Sequence, residues 1–185
     1  MKILIRSASL AALVLVVFSG CNVLPEPQKD SVRYFTLSAP SATVPASDAT
    51  TVRPVQLAGH LRNRSMAVRV GENEIIYLDD TRWAESLGDA ITQLLRSRLS
   101  ATGGNHIVTV QIQRCELARS ENNAVQLAAT YSIVSPGENP VPKRGIFTSS
   151  ARSWDGKNPG ALVGLLRDAV AELGDAIAAA LPEKK

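Results

Sequence analysis

Residues 125–134 read VQLAATYSIV, and this stretch decides the fold class because larger apolar side chains alternate with small or polar ones. Alternation with a period of two is typical of a β-strand that has one face buried and the other in water. The apolar face comprises Val125, Leu127, Ala129, Tyr131 and Ile133, and the polar face comprises Gln126, Ala128, Thr130 and Ser132. The stretch therefore predicts a sheet that is covered on one side only.

Other segments with strand-like composition extend this sheet. Residues 107–117 alternate in the same way, and residues 66–70 and 74–78 form a predicted hairpin around a glycine turn. Pro54 lies within the segment 51–57, which predicts an edge strand or a bulge there because proline has no N–H to donate. The remaining predicted strands are 33–38 and 144–150.

Two amphipathic helices accompany the strands. The first is predicted from apolar residues at helical spacing, with Asp80 or Thr81 as its cap and Gly103-Gly104 at its end. Its apolar stripe is Trp83, Leu87, Ala90, Ile91, Leu94, Leu95 and Leu99. The second begins at Asn158-Pro159, a capping residue followed by a proline. Helices and strands that are apolar on one face only can bury those faces against each other. They predict an α+β two-layer sandwich: a mostly antiparallel sheet with two amphipathic helices on one face.

The amino terminus has the organisation of an export signal. Lys2 and Arg6 precede an apolar run at 7–18, which is followed by two small residues. This run is shorter than the roughly 20 residues that a membrane-spanning helix needs. We therefore expect residues 1–20 to be a cleaved signal peptide.

The cysteine after the predicted cleavage site indicates a lipoprotein. The sequence FSGC at 18–21 resembles a lipobox, in which the cysteine thiol receives a diacylglyceryl group. We expect an N-acyl, S-diacylglycerol lipid on Cys21; the alternative is an ordinary secreted protein in which this cysteine is incidental. Asn22, where an aspartate would signal retention in the inner membrane, favours the outer membrane. The predicted location is a lipid anchor in the outer membrane facing the periplasm, with the inner membrane as the alternative.

These features divide the chain into four predicted regions. They are the signal peptide at 1–20, a lipidated terminus with a flexible tether at 21–32, a single periplasmic α+β domain at 33–182 and a charged tail at 183–185. Within the domain, residues 39–50 have no periodicity, and a loop of this length is expected to be mobile.

The composition argues against several classes of function. The chain has 20 basic and 17 acidic residues, and loss of Lys2 and Arg6 with the signal peptide lowers its net charge from +3 to +1. The sequence has no clustered basic face, so we expect no nucleic-acid partner. With Cys21 acylated, Cys115 has no cysteine left for a disulfide bond and is expected to be buried.

The sequence also lacks recognisable catalytic and metal-binding patterns. Neither His60 nor His106 has metal ligands at a suitable spacing, and no nucleophile, paired-carboxylate or phosphate-loop motif is present. We therefore expect no enzyme activity, no metal and no cofactor other than the covalent lipid.

Three residues are candidates for contact with a partner. Arg62 and Arg64 lie in the predicted loop 59–65 with no acidic residue nearby in the sequence, and arginine pairs well with phosphate and carboxylate groups. Lipid headgroups or an acidic partner would suit them, although a solvated turn explains the same residues. Trp154, in the connection between the last strand and the last helix, is the third candidate. Trp83 is expected in the core.

Several short motifs in this order of elements carry a resemblance to a known family. They are YFTL at 34–37, IYL at 76–78, RWAESL at 82–87 followed by Leu94, Leu95 and Leu99, VTVQI at 108–112 and QLAATY at 126–131. Together they resemble the auxiliary lipoprotein family of ABC-type transporters, the PqiC-like proteins, over roughly residues 33–181. Ser86 stands where this family usually has a proline, in the first turn of the predicted helix.

The resemblance implies a non-catalytic subunit that docks to an MCE-domain protein. Such a subunit would work with inner-membrane ABC or other membrane components in lipid transport between membranes, and some family members look able to form a homo-oligomeric ring. Two other functions stay open. One is a structural envelope lipoprotein or a subunit of an outer-membrane machine, and the other is a lipid carrier with its own cavity between sheet and helices.

Overall fold

The structure is a computed structural model that describes residues 31–37 and 49–182. The predicted signal peptide, Cys21, nearly all of the tether, most of the loop at 39–50 and the charged tail lie outside the described residues.

Nine strands and two α-helices occur within the described residues. The strands are β1 (Arg33–Phe35), β2 (Thr51–Val52), β3 (Gln56–Leu57), β4 (Ser65–Arg69), β5 (Ile75–Trp83), β6 (Ile107–Ala118), β7 (Ala124–Val134), β8 (Lys143–Thr148) and β9 (Arg152–Ser153). The helices are α1 (Leu87–Leu99) and α2 (Pro159–Ala180), and a short 3-10 helix covers Gly59–Arg62. Neither α-helix in this part of the chain combines the length and apolar character that crossing a bilayer requires.

The strands form one mixed sheet in the order β1-β5-β4-β6-β7-β8, with β2 and β3 also paired to β6 and β9 paired to β7. The long ladders β4–β5, β6–β7 and β7–β8 are antiparallel, whereas the short ladders β1–β5, β2–β6, β3–β6 and β4–β6 are parallel. The parallel β4–β6 pair needs a crossover connection, which β5 and α1 provide. The predicted α+β class is confirmed.

A β-bulge reverses the inward face of β6 halfway along the strand. The register with β7 shifts between Ile112 and Arg114. Before the bulge the even-numbered residues Val108, Val110 and Ile112 are buried in the core, and after it Cys115 and Leu117 take that position. A bulge adds one residue to one strand, so it moves the following side chains to the opposite face. Glu116 consequently lies on the face away from Leu117.

Both helices cover the same face of the sheet. Leu95 and Leu99 of α1 share one buried core with Leu166 and Leu173 of α2 and with the inward residues of β6 and β7. The helices approach closely at Gly174, where a Cβ atom would lie 2.9 Å from Cγ of Arg98 on α1. The predicted arrangement of two helices on one sheet face is therefore confirmed.

The start of the first helix differs from the prediction. Asp80 and Thr81 do not cap it, because β5 continues to Trp83 and α1 begins at Leu87 after Ser86. Pairing on both sides extends the strand: Trp83 lies opposite Phe35 of β1, and its amide donates to the carbonyl of Arg64 at 2.7 Å. The Trp83 side chain is 3% exposed, which confirms it as a core residue.

The predicted strand at 51–57 is interrupted in the structure. β2 and β3 pair separately with β6, and the residues between them include Pro54. Proline cannot donate to the ladder, which explains the break. At the other end of the chain, Asn158 caps α2 as predicted, since its Oδ1 accepts from the amide of Gly160 at 2.9 Å.

Candidate functional site

The loop that carries Arg62 and Arg64 is held firmly to the sheet. The 3-10 helix places Leu61 in the core at 3% exposure and leaves both arginines exposed. Asn63 Oδ1 accepts from the amide of Ser65 at 2.9 Å, which closes a local turn before β4. The loop therefore presents its arginines from a fixed backbone.

The two arginines line the same concave surface, whose volume is about 430 Å³. The other lining residues are Leu57, Leu61, Asn63, Glu85, Ser86 and Leu87. We call this surface the arginine cavity. Arg62 Nε donates to the carbonyl of Leu57 at 3.2 Å, so part of its guanidinium is tied to the backbone beside the cavity. No acidic residue is close to the two arginines in the sequence, but Glu85 lies with them in the lining of the cavity.

The first turn of α1 borders the arginine cavity. Ser86 precedes this helix, but its side chain makes no capping hydrogen bond. The first amides of a helix lack partners within the helix and carry a partial positive charge. Together with two arginines, they favour an anionic group in the cavity, while Glu85 limits the excess of positive charge.

A buried carboxylate lies beneath the loop. The Glu116 side chain has no exposed area, and its Oε1 accepts from Arg69 Nε at 2.7 Å and from Arg114 Nε at 3.2 Å. Its Oε2 contacts His60 Nε2 at 2.8 Å. A carboxylate oxygen accepts, so His60 donates from Nε2. These four residues, which we call the Glu116 network, connect β4 and β6 to the loop.

Tyr77 adds a second connection to the same loop. Its hydroxyl donates to the carbonyl of His60 at 3.1 Å from the neighbouring strand β5. Sequence reasoning missed these contacts because His60 and Glu116 are 56 residues apart. A glutamate between the apolar residues Cys115 and Leu117, near the end of a predicted strand, was the available signal. It indicated an uncommon buried charge that needs partners.

Trp154 lies elsewhere and does not line the arginine cavity. Its amide donates to the carbonyl of Asn123 at 2.9 Å, and its indole Nε1 donates to the carbonyl of Asn158 at 3.0 Å. The side chain is half-buried and packs against the core. These contacts connect the β6–β7 turn to the start of α2, and a contact of Trp154 with a partner stays a prediction.

Cys115 is unsuited to redox chemistry in the folded protein. Burial, with a smaller contribution from the Glu116 charge, raises the pKa of its thiol to about 12. The thiolate is the reactive form of cysteine, so the protonated thiol is inert. No group of three or more His, Cys, Asp or Glu within residues 31–37 and 49–182 is placed to hold a metal ion.

Comparisons with known proteins identify the family and the fold. The chain matches the family model described as ABC-type transport auxiliary lipoprotein component over residues 35–178. None of the curated proteins matches in sequence.

Two solved structures share the fold. One is a crystal structure titled as an uncharacterized protein, with 14% identity and a TM-score of 0.61 over 80% of this chain and 97% of that one. The other is protein XCC0632 from Xanthomonas campestris, with 15% identity and a TM-score of 0.59 over 79% of this chain and 91% of that one. The family model covers more than three quarters of the chain, and it describes an auxiliary component of transport rather than a catalyst. The chain therefore belongs to the family of ABC-type transport auxiliary lipoprotein components.

Proposed function

We propose that this protein is a lipid-anchored periplasmic subunit of an MCE and ABC-type system that moves lipid between membranes. In this proposal it has no catalytic role and docks to an MCE-domain protein. The family match over residues 35–178 is the observation that carries the proposal. The two-layer fold with a packed core supports a role in docking, because a rigid surface loses little entropy on binding.

The proposed anchor is the N-acyl, S-diacylglycerol lipid on Cys21, in the outer membrane, with the inner membrane as the alternative. Two or more acyl chains are enough for stable attachment to a bilayer. The ten residues from 22 to 31 would reach roughly 30 Å when extended. That reach would let the folded domain contact a part of the partner that lies in the periplasm, away from the membrane.

The arginine cavity is the proposed contact with the MCE-domain partner. Arg62 and Arg64 are exposed on a loop that Leu61, Tyr77 and the Glu116 network hold in place. Arginine forms paired hydrogen bonds with carboxylates, so an acidic surface of the partner suits this cavity. Trp154 is a second proposed contact, through the exposed part of its indole.

Charge reversal tests the docking proposal. The double variant Arg62→Glu and Arg64→Glu should reduce recovery of the MCE-domain protein from detergent extracts by tenfold or more, since an arginine–carboxylate contact becomes repulsive. The matched control reverses two exposed arginines outside the cavity, Arg119 and Arg167, and should leave recovery unchanged. Equal recovery with both double variants would remove the cavity from the proposal.

Further measurements test the anchor, the competing functions and the ring. Treatment with globomycin should cause the precursor to accumulate, and a precursor that is still processed would contradict the lipid anchor. A lipid carrier should copurify with lipid beyond its own anchor, which mass spectrometry of the extract detects. Crosslinks to an outer-membrane machine in place of an MCE-domain protein would favour a structural envelope lipoprotein. A homo-oligomeric ring is part of the proposal and would appear as a discrete mass in native mass spectrometry.

A further inference from the structure

β8 is the last strand on its side of the sheet within the described residues. It pairs with β7 from Ala128 opposite Thr148 to Ile133 opposite Lys143, and no described segment pairs with its other side. In an antiparallel ladder alternate residues direct their N–H and C=O groups away from the paired strand. β8 therefore offers backbone donors and acceptors to an added strand.

The centre of this edge strand carries an exposed apolar side chain. Ile146 on β8 is 85% exposed, and Val141, which precedes the strand, is 86% exposed. Natural edge strands are normally protected by charged residues, prolines or short length. Pro140, Pro142 and Lys143 protect the beginning of β8, whereas Ile146 leaves its centre open to an apolar contact.

A groove runs beside this edge on the face of the sheet opposite the helices. Its volume is about 650 Å³, and it is lined by Thr109, Gln111, Thr130 and Ser132 of β6 and β7 and by Arg144 and Ile146 of β8, among others. Thr130 and Ile146 are directly opposite in the ladder, which places Ile146 on this open face. A volume of this size lies within the range of binding pockets, roughly 300–1,000 Å³.

The groove carries positive charge. Arg144 is the one charged side chain among its described lining residues. Lys143 next to it donates from Nζ to the carbonyl of Ala180 at 2.8 Å, which commits that cation to the end of α2. Glu138 lies in the turn before β8 and is not part of the lining. An acidic ligand group therefore meets Arg144 without a competing carboxylate in the groove.

We propose that β8 is the docking site for an extended segment of a partner protein that carries an acidic residue two positions from an apolar one. Side chains two apart on a strand share a face, so Arg144 and Ile146 point to the same side. A partner strand added to β8 would place its own alternate side chains against them. Its backbone would pair with β8, in the manner of β-augmentation.

A second copy of this chain is a poor occupant of the edge. The opposite edge of the sheet is β1, which carries Arg33 and the exposed Tyr34. Neither β1 nor β8 has an acidic residue, so pairing either strand of a second copy with β8 would leave Arg144 without an anionic partner and would place it opposite a cation in some registers. Like charges directly opposite on paired strands are destabilising. The surface also differs from the arginine cavity, so this inference does not rest on the proposed function.

Synthetic peptides test the inference on the full-length protein in detergent. The probe is a fluorescein-labelled peptide of sequence STVTETVTS, which places valine two positions from glutamate in either strand direction. Its matched controls are STVTKTVTS and the first peptide with alternate backbone amides methylated. In fluorescence anisotropy the acidic peptide should bind about tenfold more tightly than the lysine peptide, and methylation should abolish binding.

Variants of the protein locate the site. Arg144→Glu should invert the preference between the two peptides, and Ile146→Thr should weaken both while keeping a β-branched residue in the strand. Arg167→Glu on α2 is the charge control and should change neither affinity. The comparison among peptides on the unchanged protein stands even where a variant folds poorly.

Three outcomes with the peptides would overturn the inference. They are absence of binding by the acidic peptide, equal binding of the acidic and lysine peptides, and undiminished binding of the methylated peptide. A photo-crosslinker in place of Ile146 that captures a second copy of the chain, and not the peptide, would assign the edge to self-association instead.

Discussion

Replacement of Glu116 by glutamine should destabilise the protein although the side chain keeps its size. Removing one partner of a buried ion pair costs about 3–5 kcal/mol. The side chains of Arg69, His60 and Arg114 retain 17%, 24% and 26% exposure, so water partly solvates them once the carboxylate is gone. We therefore expect Glu116→Gln to lower the free energy of unfolding by about 3 kcal/mol, near the low end of that range. In a domain of this size that corresponds to a fall in Tm of about 6–12 °C.

Urea unfolding followed by tryptophan fluorescence measures this change, with linear extrapolation to water. Glu121→Gln is the matched control, because Glu121 is 45% exposed and its contact with Arg114 is 3.4 Å long. An exposed pair of this kind contributes less than about 1 kcal/mol. Hydrogen exchange should also increase at the amides of residues 59–65 in Glu116→Gln. Equal stability of the two variants, with unchanged exchange in this loop, would refute the role of the Glu116 network.

Three further predictions concern Glu172, Gly145 and Cys115. Burial by itself would raise the pKa of Glu172, but hydrogen bonds, of which the one from Arg152 is the strongest, outweigh it and lower that pKa below its ordinary value. Glu172 therefore contributes stability to the folded protein that is lost as the pH falls through its folded pKa. In the Glu172→Gln variant, the free energy of unfolding should therefore fall less steeply at acidic pH than in the wild type. Curves of this free energy against pH that stay parallel for the two proteins would contradict the prediction. Gly145→Ala should cost about 1–3 kcal/mol in urea unfolding because a Cβ atom there overlaps the Tyr131 ring. The same change should cost less in a Tyr131→Ala background, and an equal cost in both backgrounds would disprove the overlap. The Cys115 thiol, buried with a pKa of about 12, should react with Ellman's reagent only after urea is added, and rapid labelling of the native protein would count against its burial.

Regular patterns in the sequence predicted the parts of the fold that depend on local periodicity. The alternation at 125–134 identifies β7 and its buried face, and the Asn158-Pro159 start identifies α2. The tryptophan of RWAESL misled the helix assignment, because Trp83 fits the apolar stripe of α1 as well as it fits the end of β5. Pairing with β1 and a hydrogen bond to Arg64, both distant in sequence, decided in favour of the strand.

The candidate site was only partly predictable for the same reason. Arg62 and Arg64 could be proposed as contact residues because arginines in a predicted loop are visible in the sequence. Glu85 and the start of α1 join them only through tertiary packing. The Glu116 network depends on the bulge between Ile112 and Arg114, which sends Glu116 to the face of His60. The periodicity of the sequence does not predict such a bulge. Nor does a strand pattern show which strand lies at an edge, so the open side of β8 required the structure.

Photo-crosslinking from the arginine cavity in intact cells tests the proposed docking most directly. Ser86 suits the crosslinker because it lines the cavity, is exposed and makes no capping hydrogen bond. Asp168, exposed on α2, is the control position. The proposal predicts that mass spectrometry identifies an MCE-domain protein captured from position 86 and not from position 168. Capture of other envelope proteins from position 86, with no MCE-domain protein among them, would contradict it.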